Sequence, residues 1–164
     1  MKNTLLVSFM IVSMMCCTSG RKNKMDNFVY DYEKVFDKAQ TKKLNNLYKD
    51  YEKKSSNDFV LVTTDNYGNE EGIASYARQF CDINGIGEPG KENWIVVVFS
   101  KKNSEIWMTT GDGIVKPGKE AITRMIVDSI MLPQFKEEKY FEGLWAGSNR
   151  IINFLETPED EGSK

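Results

Sequence analysis

The sequence of 164 residues predicts an α/β fold, a three-layer α/β/α sandwich around a small mixed sheet of about four strands. Three observations point there. DFVLVTT (58–64) and WIVVVFS (94–100) are apolar or β-branched at nearly every position, as strands covered on both faces require. Helix-period stripes precede, separate and follow these runs. The order is helix, strand, helix, hairpin, helix, helix, which supplies enough helix to cover both faces of one sheet.

The chain opens with a single charge, Lys2, and an apolar run from Leu5 to Met15 that ends in Cys16 and Cys17. A membrane-spanning helix needs roughly 20 apolar residues, so the run has the length of a signal peptide instead. MMCCTSGRKNK resembles bacterial lipoprotein signals, in which the residue after cleavage is a cysteine that receives the lipid. Cys17 has Met14 three positions before it and the small Cys16 directly before it, whereas Cys16 would follow Met15. The expectation is a signal peptide over 1–16, lipid on Cys17, a polar tether over 17–27, a domain over 28–156 and a solvated tail over 157–164. A plain signal or an uncleaved anchor is the alternative.

In the domain, NFVYD offers a short strand, and Ala39, Leu44, Leu47, Tyr48 and Tyr51 then mark an amphipathic helix. After the first apolar strand and the turn DNYGN, Ile73, Tyr76, Ala77 and Phe80 mark a second helix, stopped by Gly85 and Gly87. WIVVVFS, the turn KKNS and EIWMTT form a hairpin. Ala121, Ile122, Met125, Ile126 and Ile130 mark a helix expected to end at Pro133. Phe141, Leu144, Trp145, Ser148, Ile152 and Leu155 give the final helix. Trp94, Trp107 and Trp145 sit on these runs and are expected in the core.

Composition removes several chemistries. The formal net charge is −2, which suggests neither nucleic acid nor an anionic membrane as a partner. The chain has no histidine, which excludes Ser-His-Asp and Cys-His catalysis and imidazole-ligated zinc. A metal would be held by oxygen ligands, which points to calcium or magnesium. With Cys17 lipidated and Cys16 removed, Cys81 is the remaining thiol, most simply a small buried hydrophobe.

GIGEPGKE (85–92) and GIVKPGKE (113–120) each come within one residue of a phosphate-binding loop. The first, however, leads from a helix to a strand, which is the wrong polarity. The second puts Glu120 where a hydroxyl should meet Mg²⁺, and no later strand offers an acid for the metal, so nucleotide is not expected as a ligand. The hairpin gives these segments another meaning. Antiparallel partners place the start of one strand beside the end of the other, so both glycine segments meet at one end of the sheet. Glu88, Glu92, Asn93, Asp112 and Glu120 gather there, an oxygen set suited to a hard cation. Soluble turn chemistry alone is the plainer reading of the same residues.

Several segments in order resemble the TPM domain family: Val29-Tyr30-Asp31, Thr110-Gly111-Asp112-Gly113-Ile114, Glu120-Ala121 with Arg124-Met125-Ile126, Pro133-Gln134-Phe135-Lys136 and Tyr140-Phe141-Glu142-Gly143. The resemblance implies an α/β/α sandwich, usually with a divalent-cation site of acidic loop residues. It adds Asp31 to the candidate ligands. It links plant members to acid phosphatase activity, while many bacterial members have no assigned reaction. The sequence departs from the family in having Asp112 for an aromatic residue, Val115 for Glu and Glu120 for Asp, so the expected cation site is altered.

The metal candidates are therefore Asp31, Glu92, Asn93, Asp112 and Glu120, with calcium as the expected ion. Arg124, one helical turn after Glu120, reads either as an anion clamp beside the cation or as half of a surface ion pair with Glu120. The functional expectation is a lipid-anchored module of the bacterial envelope, periplasmic or surface-exposed, that binds a divalent cation and serves an envelope protein partner. The alternative is a weak metal-dependent acid phosphatase, in which the cation activates water and Arg124 holds the ester.

Overall fold

The computed structural model describes residues 26–158, so the expectations for Cys17, the signal and most of the tether and tail lie outside the described residues. The elements are β1 (Val29–Asp31), α1 (Lys38–Ser55), β2 (Asp58–Thr63), α2 (Ile73–Asn84), β3 (Trp94–Ser100), β4 (Glu105–Thr110) and α3 (Lys119–Ile126). A π-helical segment (Val127–Met131), α4 (Leu132–Lys136) and α5 (Tyr140–Glu156) complete the order. The strands form one sheet in the order β1-β2-β3-β4. β1, β2 and β3 run parallel, and β4 returns antiparallel to β3.

Side-chain alternation assigns each helix to a face. Phe59 stacks on Tyr48 of α1 at 4.3 Å, and Phe99, on the same face, meets Phe135 of α4 at 4.7 Å and Tyr140 of α5 at 5.2 Å. Tyr30 points the other way and meets Phe80 of α2 at 5.0 Å. The sheet is thus covered by α1, α4 and α5 on one side and by α2 on the other, and α3 packs against α5. The steps from β1 to β2 and from β2 to β3 go in the same direction across the sheet, yet their helices lie on opposite faces. Their crossovers must therefore have opposite hands, and one is left-handed, against the strong right-handed preference of such units.

Local chemistry sets the element ends. Asp37 and Gln40 form a reciprocal capping box at the start of α1, with the Gln40 amide donating to the Asp37 carboxylate at 2.7 Å. Gly85 closes α2 with φ of 62°, a left-handed conformation that glycine adopts without steric cost. Pro133, expected as a terminator, sits inside continuous helical chain instead. The Leu132 amide bonds back to the Val127 carbonyl, five residues earlier, and this π register places Pro133 in the first turn of α4, where a missing N–H costs no hydrogen bond.

The core holds all of β2 and β3 together with one stripe of each long helix. Trp94 is buried at 2% exposure, but Trp107 and Trp145, also expected inside, are 41% and 36% exposed. Trp107 is on the outermost strand, which has only half a sheet to cover it. Tyr48 and Ser148 are both buried, and their hydroxyls share a hydrogen bond of 2.7 Å that joins α1 to α5. Burial drives the Tyr48 phenol well above its ordinary pKa, so it stays protonated and neutral.

Ser148→Ala would leave the Tyr48 hydroxyl buried without its partner and should cost about 1–3 kcal/mol in urea unfolding. Tyr48→Phe combined with Ser148→Ala should restore part of that loss, because neither hydroxyl is then stranded. A double variant as unstable as the sum of the two singles would show that the hydroxyls are not coupled.

Candidate functional site

The two glycine segments do meet. The Gly111 amide donates to the Trp94 carbonyl at 2.8 Å and the Gly113 amide to the Glu92 carbonyl at 3.2 Å, so the β3–β4 pairing runs on into both loops. A Cβ on Gly111 would lie 2.0 Å from the Glu92 carbonyl oxygen, and one on Gly113 would lie 1.6 Å from that of Lys91. The Thr-Gly-x-Gly pattern is therefore a requirement for close backbone approach.

The candidate ligands do not all share this place. Asp31 ends β1 at the opposite end of the sheet, in register with Thr63. Its carboxylate accepts from the amides of Val35 at 2.9 Å and Phe36 at 3.0 Å and from the Thr63 hydroxyl at 2.5 Å, which makes it a turn-holding acid. Asn93 is at the loop end but buried, and its side chain joins the Glu88 amide at 2.7 Å to the Ser56 carbonyl at 2.6 Å. Glu88 pairs with Lys91 at 2.6 Å. Glu92, Asp112 and Glu120 remain, all exposed on the loops and the first turn of α3.

A cation of the protein's own sits among them. The Lys119 side chain is only 13% exposed, and its ammonium donates to the carbonyls of Ile114 at 2.7 Å and Gly111 at 3.1 Å, with a Glu120 carboxylate oxygen at 4.0 Å. The inward carbonyls that a hard cation would use at this turn are thus taken by Lys119. Among the described residues, no three His, Cys, Asp or Glu side chains stand close enough together to hold a metal ion. As arranged here, Asp31, Glu92, Asn93, Asp112 and Glu120 do not fit one calcium shell.

Beside this loop end lies a feature that the sequence reading missed. A crevice of about 280 Å³ follows β4, taking in Ile106 and Met108 from one face of the strand and Trp107 and Thr109 from the other. A cleft that touches both faces of a strand runs along its open edge, and the other wall is formed by α3 through Glu120 and Arg124 and by the π-helical segment through Asp128. The Arg124 side chain is exposed and makes no hydrogen bond or ion pair among the described residues, so the Glu120–Arg124 pair, one of its two readings, is not formed. EIWMTT alone carried one usable signal: it is less continuously apolar than WIVVVFS, as an outer strand is.

Lys119→Met should lower stability by about 1.5–3 kcal/mol, the range for hydrogen bonds from a charged donor, in chemical denaturation. Gly113→Ala should cost more, because its Cβ would meet backbone. If either variant melts like the parent, the packing described for this turn does not hold.

A family profile described as the TPM domain matches residues 29–154. No curated protein matches the chain. Among solved structures, the fold resembles the N-terminal domain of a protein from P. gingivalis, solved by NMR, with a TM-score of 0.69 at 21% identity over 79% of this chain and 82% of that one. It also resembles the N-terminal domain of the cg2496 protein from Corynebacterium glutamicum, with a TM-score of 0.63 at 8% identity over 87% and 90% of the two chains. BA42 from the psychrophilic bacterium Bizionia argentinensis gives a TM-score of 0.59 at 15% identity over 82% and 86%. At these identities the structures support the fold alone. The profile, which spans β1 through most of α5, shows that the chain belongs to the TPM domain family.

Proposed function

We propose that this TPM-domain protein is an accessory or interaction module of the bacterial cell envelope, tethered to the membrane by lipid on Cys17. The observation that carries the module reading is the open edge of β4, with a walled crevice beside it and Trp107 half-exposed along it. A folded sheet normally protects such an edge, so one left bare beside a charged helix suits a partner. The tether would keep the edge near envelope proteins and raise their effective concentration. Among the described residues, no helix is long and apolar enough to cross a membrane.

Cation binding belongs to the proposal in a narrower form than the sequence suggested. Glu92, Asp112 and Glu120 are the carboxylates free to turn toward calcium, without Asp31 or Asn93. The alternative phosphatase reading would have to rest on metal-activated water with Arg124 holding the ester, because a thiol nucleophile is not on offer. Cys81 is buried, and that burial pushes its thiol up to about 12, far from a usable nucleophile.

A photoreactive side chain at position 107 should crosslink an envelope protein in living cells, while one at Ile83, exposed on α2, should not. Absence of crosslinks at both sites, together with metal-dependent hydrolysis of an aryl phosphate by the purified protein, would replace the module with the enzyme. Fatty-acid labelling should be lost in Cys17→Ser. Any melting shift caused by calcium should vanish in Asp112→Asn/Glu120→Gln and persist in Asp31→Asn; loss of the shift in Asp31→Asn alone would restore Asp31 as a ligand.

A further inference from the structure

We propose that the crevice along β4 binds an extended peptide segment of the partner, one that turns basic, acidic and basic side chains at alternate positions toward α3. This inference rests on the module reading and specifies what the module recognises.

The backbone supplies the first half of the site. Gly111 and Trp94 are opposed in the β3–β4 register, and the hydrogen bond between them marks a narrow pair. Narrow and wide pairs alternate in an antiparallel ladder, so Glu105, Trp107 and Thr109 direct their amides and carbonyls at β3. Ile106, Met108 and Thr110 direct theirs outward, along the crevice. An extended chain laid there would complete a fifth strand through these groups, the mode in which a peptide joins a sheet edge.

The helix wall supplies selectivity. Glu120 and Arg124 on α3 and Asp128 in the π-helical segment that continues it follow one another at four-residue steps, the first about 6 Å along the helix axis and the second somewhat less. Alternate residues of a strand are about 6.6 Å apart. Three successive outward side chains of a bound strand would therefore fall opposite the three charges in turn, and the complement of acid, base, acid is base, acid, base. The pattern is the same in either direction, so it does not depend on whether the peptide runs parallel or antiparallel. Arg124, without a partner among the described residues, would gain one.

A single strand suits the space better than a second copy of this chain. Edge pairing of two copies about a twofold axis would carry α3 of each toward the same side of the joint and bring their identical charge stripes together. The crevice of about 280 Å³ would receive only the side chains turned toward α3, while the backbone of the bound strand lies along the open edge of β4.

The probe is a blocked heptapeptide, Thr-Lys-Val-Glu-Val-Lys-Thr, added to the ¹⁵N-labelled full chain in detergent micelles. Binding should slow hydrogen exchange at the amides of Ile106, Met108 and Thr110 and leave those of Trp107 and Thr109, already paired with β3, unchanged. The charge-reversed peptide with Glu-x-Lys-x-Glu should bind about tenfold more weakly, three exposed ion pairs being exchanged for three repulsions. Arg124→Glu should weaken the first peptide and favour one with three lysines. Protection spread elsewhere, equal affinity for both peptides, or indifference to Arg124→Glu would each overturn the proposal. So would protection of the same three amides that grows with protein concentration alone, since that would make the occupant a second copy. Crosslinks at position 107 in cells combined with no peptide binding would reject this pattern and leave the module reading standing; absence of both would reject the two together.

Discussion

Complete burial of the two central strands is the constraint on which the rest of the structure depends. Every residue of β2 and β3 is buried, so both faces of the sheet must be roofed by helix. The chain meets this demand with α2 on one side and α1, α4 and α5 on the other, which obliges two consecutive crossovers to differ in hand. Tyr48 against Phe59, and Phe99 against Phe135 and Tyr140, tie the larger layer to the sheet by aromatic contact. The π-helical segment follows from the same demand. It lets the chain carry Met131 into the core and pass Pro133 without leaving helical geometry, so that α5 can return across α1. Gly147 records how close that return is: a Cβ there would stand 2.1 Å from the Met131 methyl group.

The outer strands are where the constraint relaxes. β1 is short, and its end is held by Asp31 through the amides of Val35 and Phe36. β4 keeps one edge open, and the loop that follows it is stitched to the start of β3 and the loop before it by its glycines and is closed on itself by the Lys119 ammonium. This stitching gives the loop end a built-in cation and holds the first turn of α3 beside β4. The crevice is a consequence: α3 is fixed at its start by the loop and farther along by its packing on α5. It also packs on β4 itself, so the crevice is a narrow cleft between helix and strand.

Much of this could be read from the residues. Runs such as WIVVVFS, with no polar position inside the strand before its last residue, announce a doubly covered strand, and the helical stripes locate α1, α2 and α5. The meeting of the two glycine segments followed from hairpin geometry alone. Other features could not be read this way. Pro133 looked like a terminator because its effect depends on the hydrogen-bond register around it, which a π turn altered. Trp107 and Trp145 looked like core residues because large aromatic side chains usually are, and only their place at an edge and on an outer helix face exposes them.

The sequence by itself determined the fold class, the hairpin, the family and the exclusion of imidazole chemistry. Each of these rests on residue types and on spacings of a few positions, which local geometry converts directly into strands, helices and turns. Tertiary structure decided which acids share a place. Asp31 and Asp112 look equivalent as loop carboxylates, yet they lie at opposite ends of the sheet because β1 and β4 run in opposite directions across it. It also decided that Lys119 would fill the carbonyl turn and that Arg124 would face an open edge, since both depend on where α3 is set down against β4. That placement comes from contacts between residues far apart in the chain, and no local pattern encodes it.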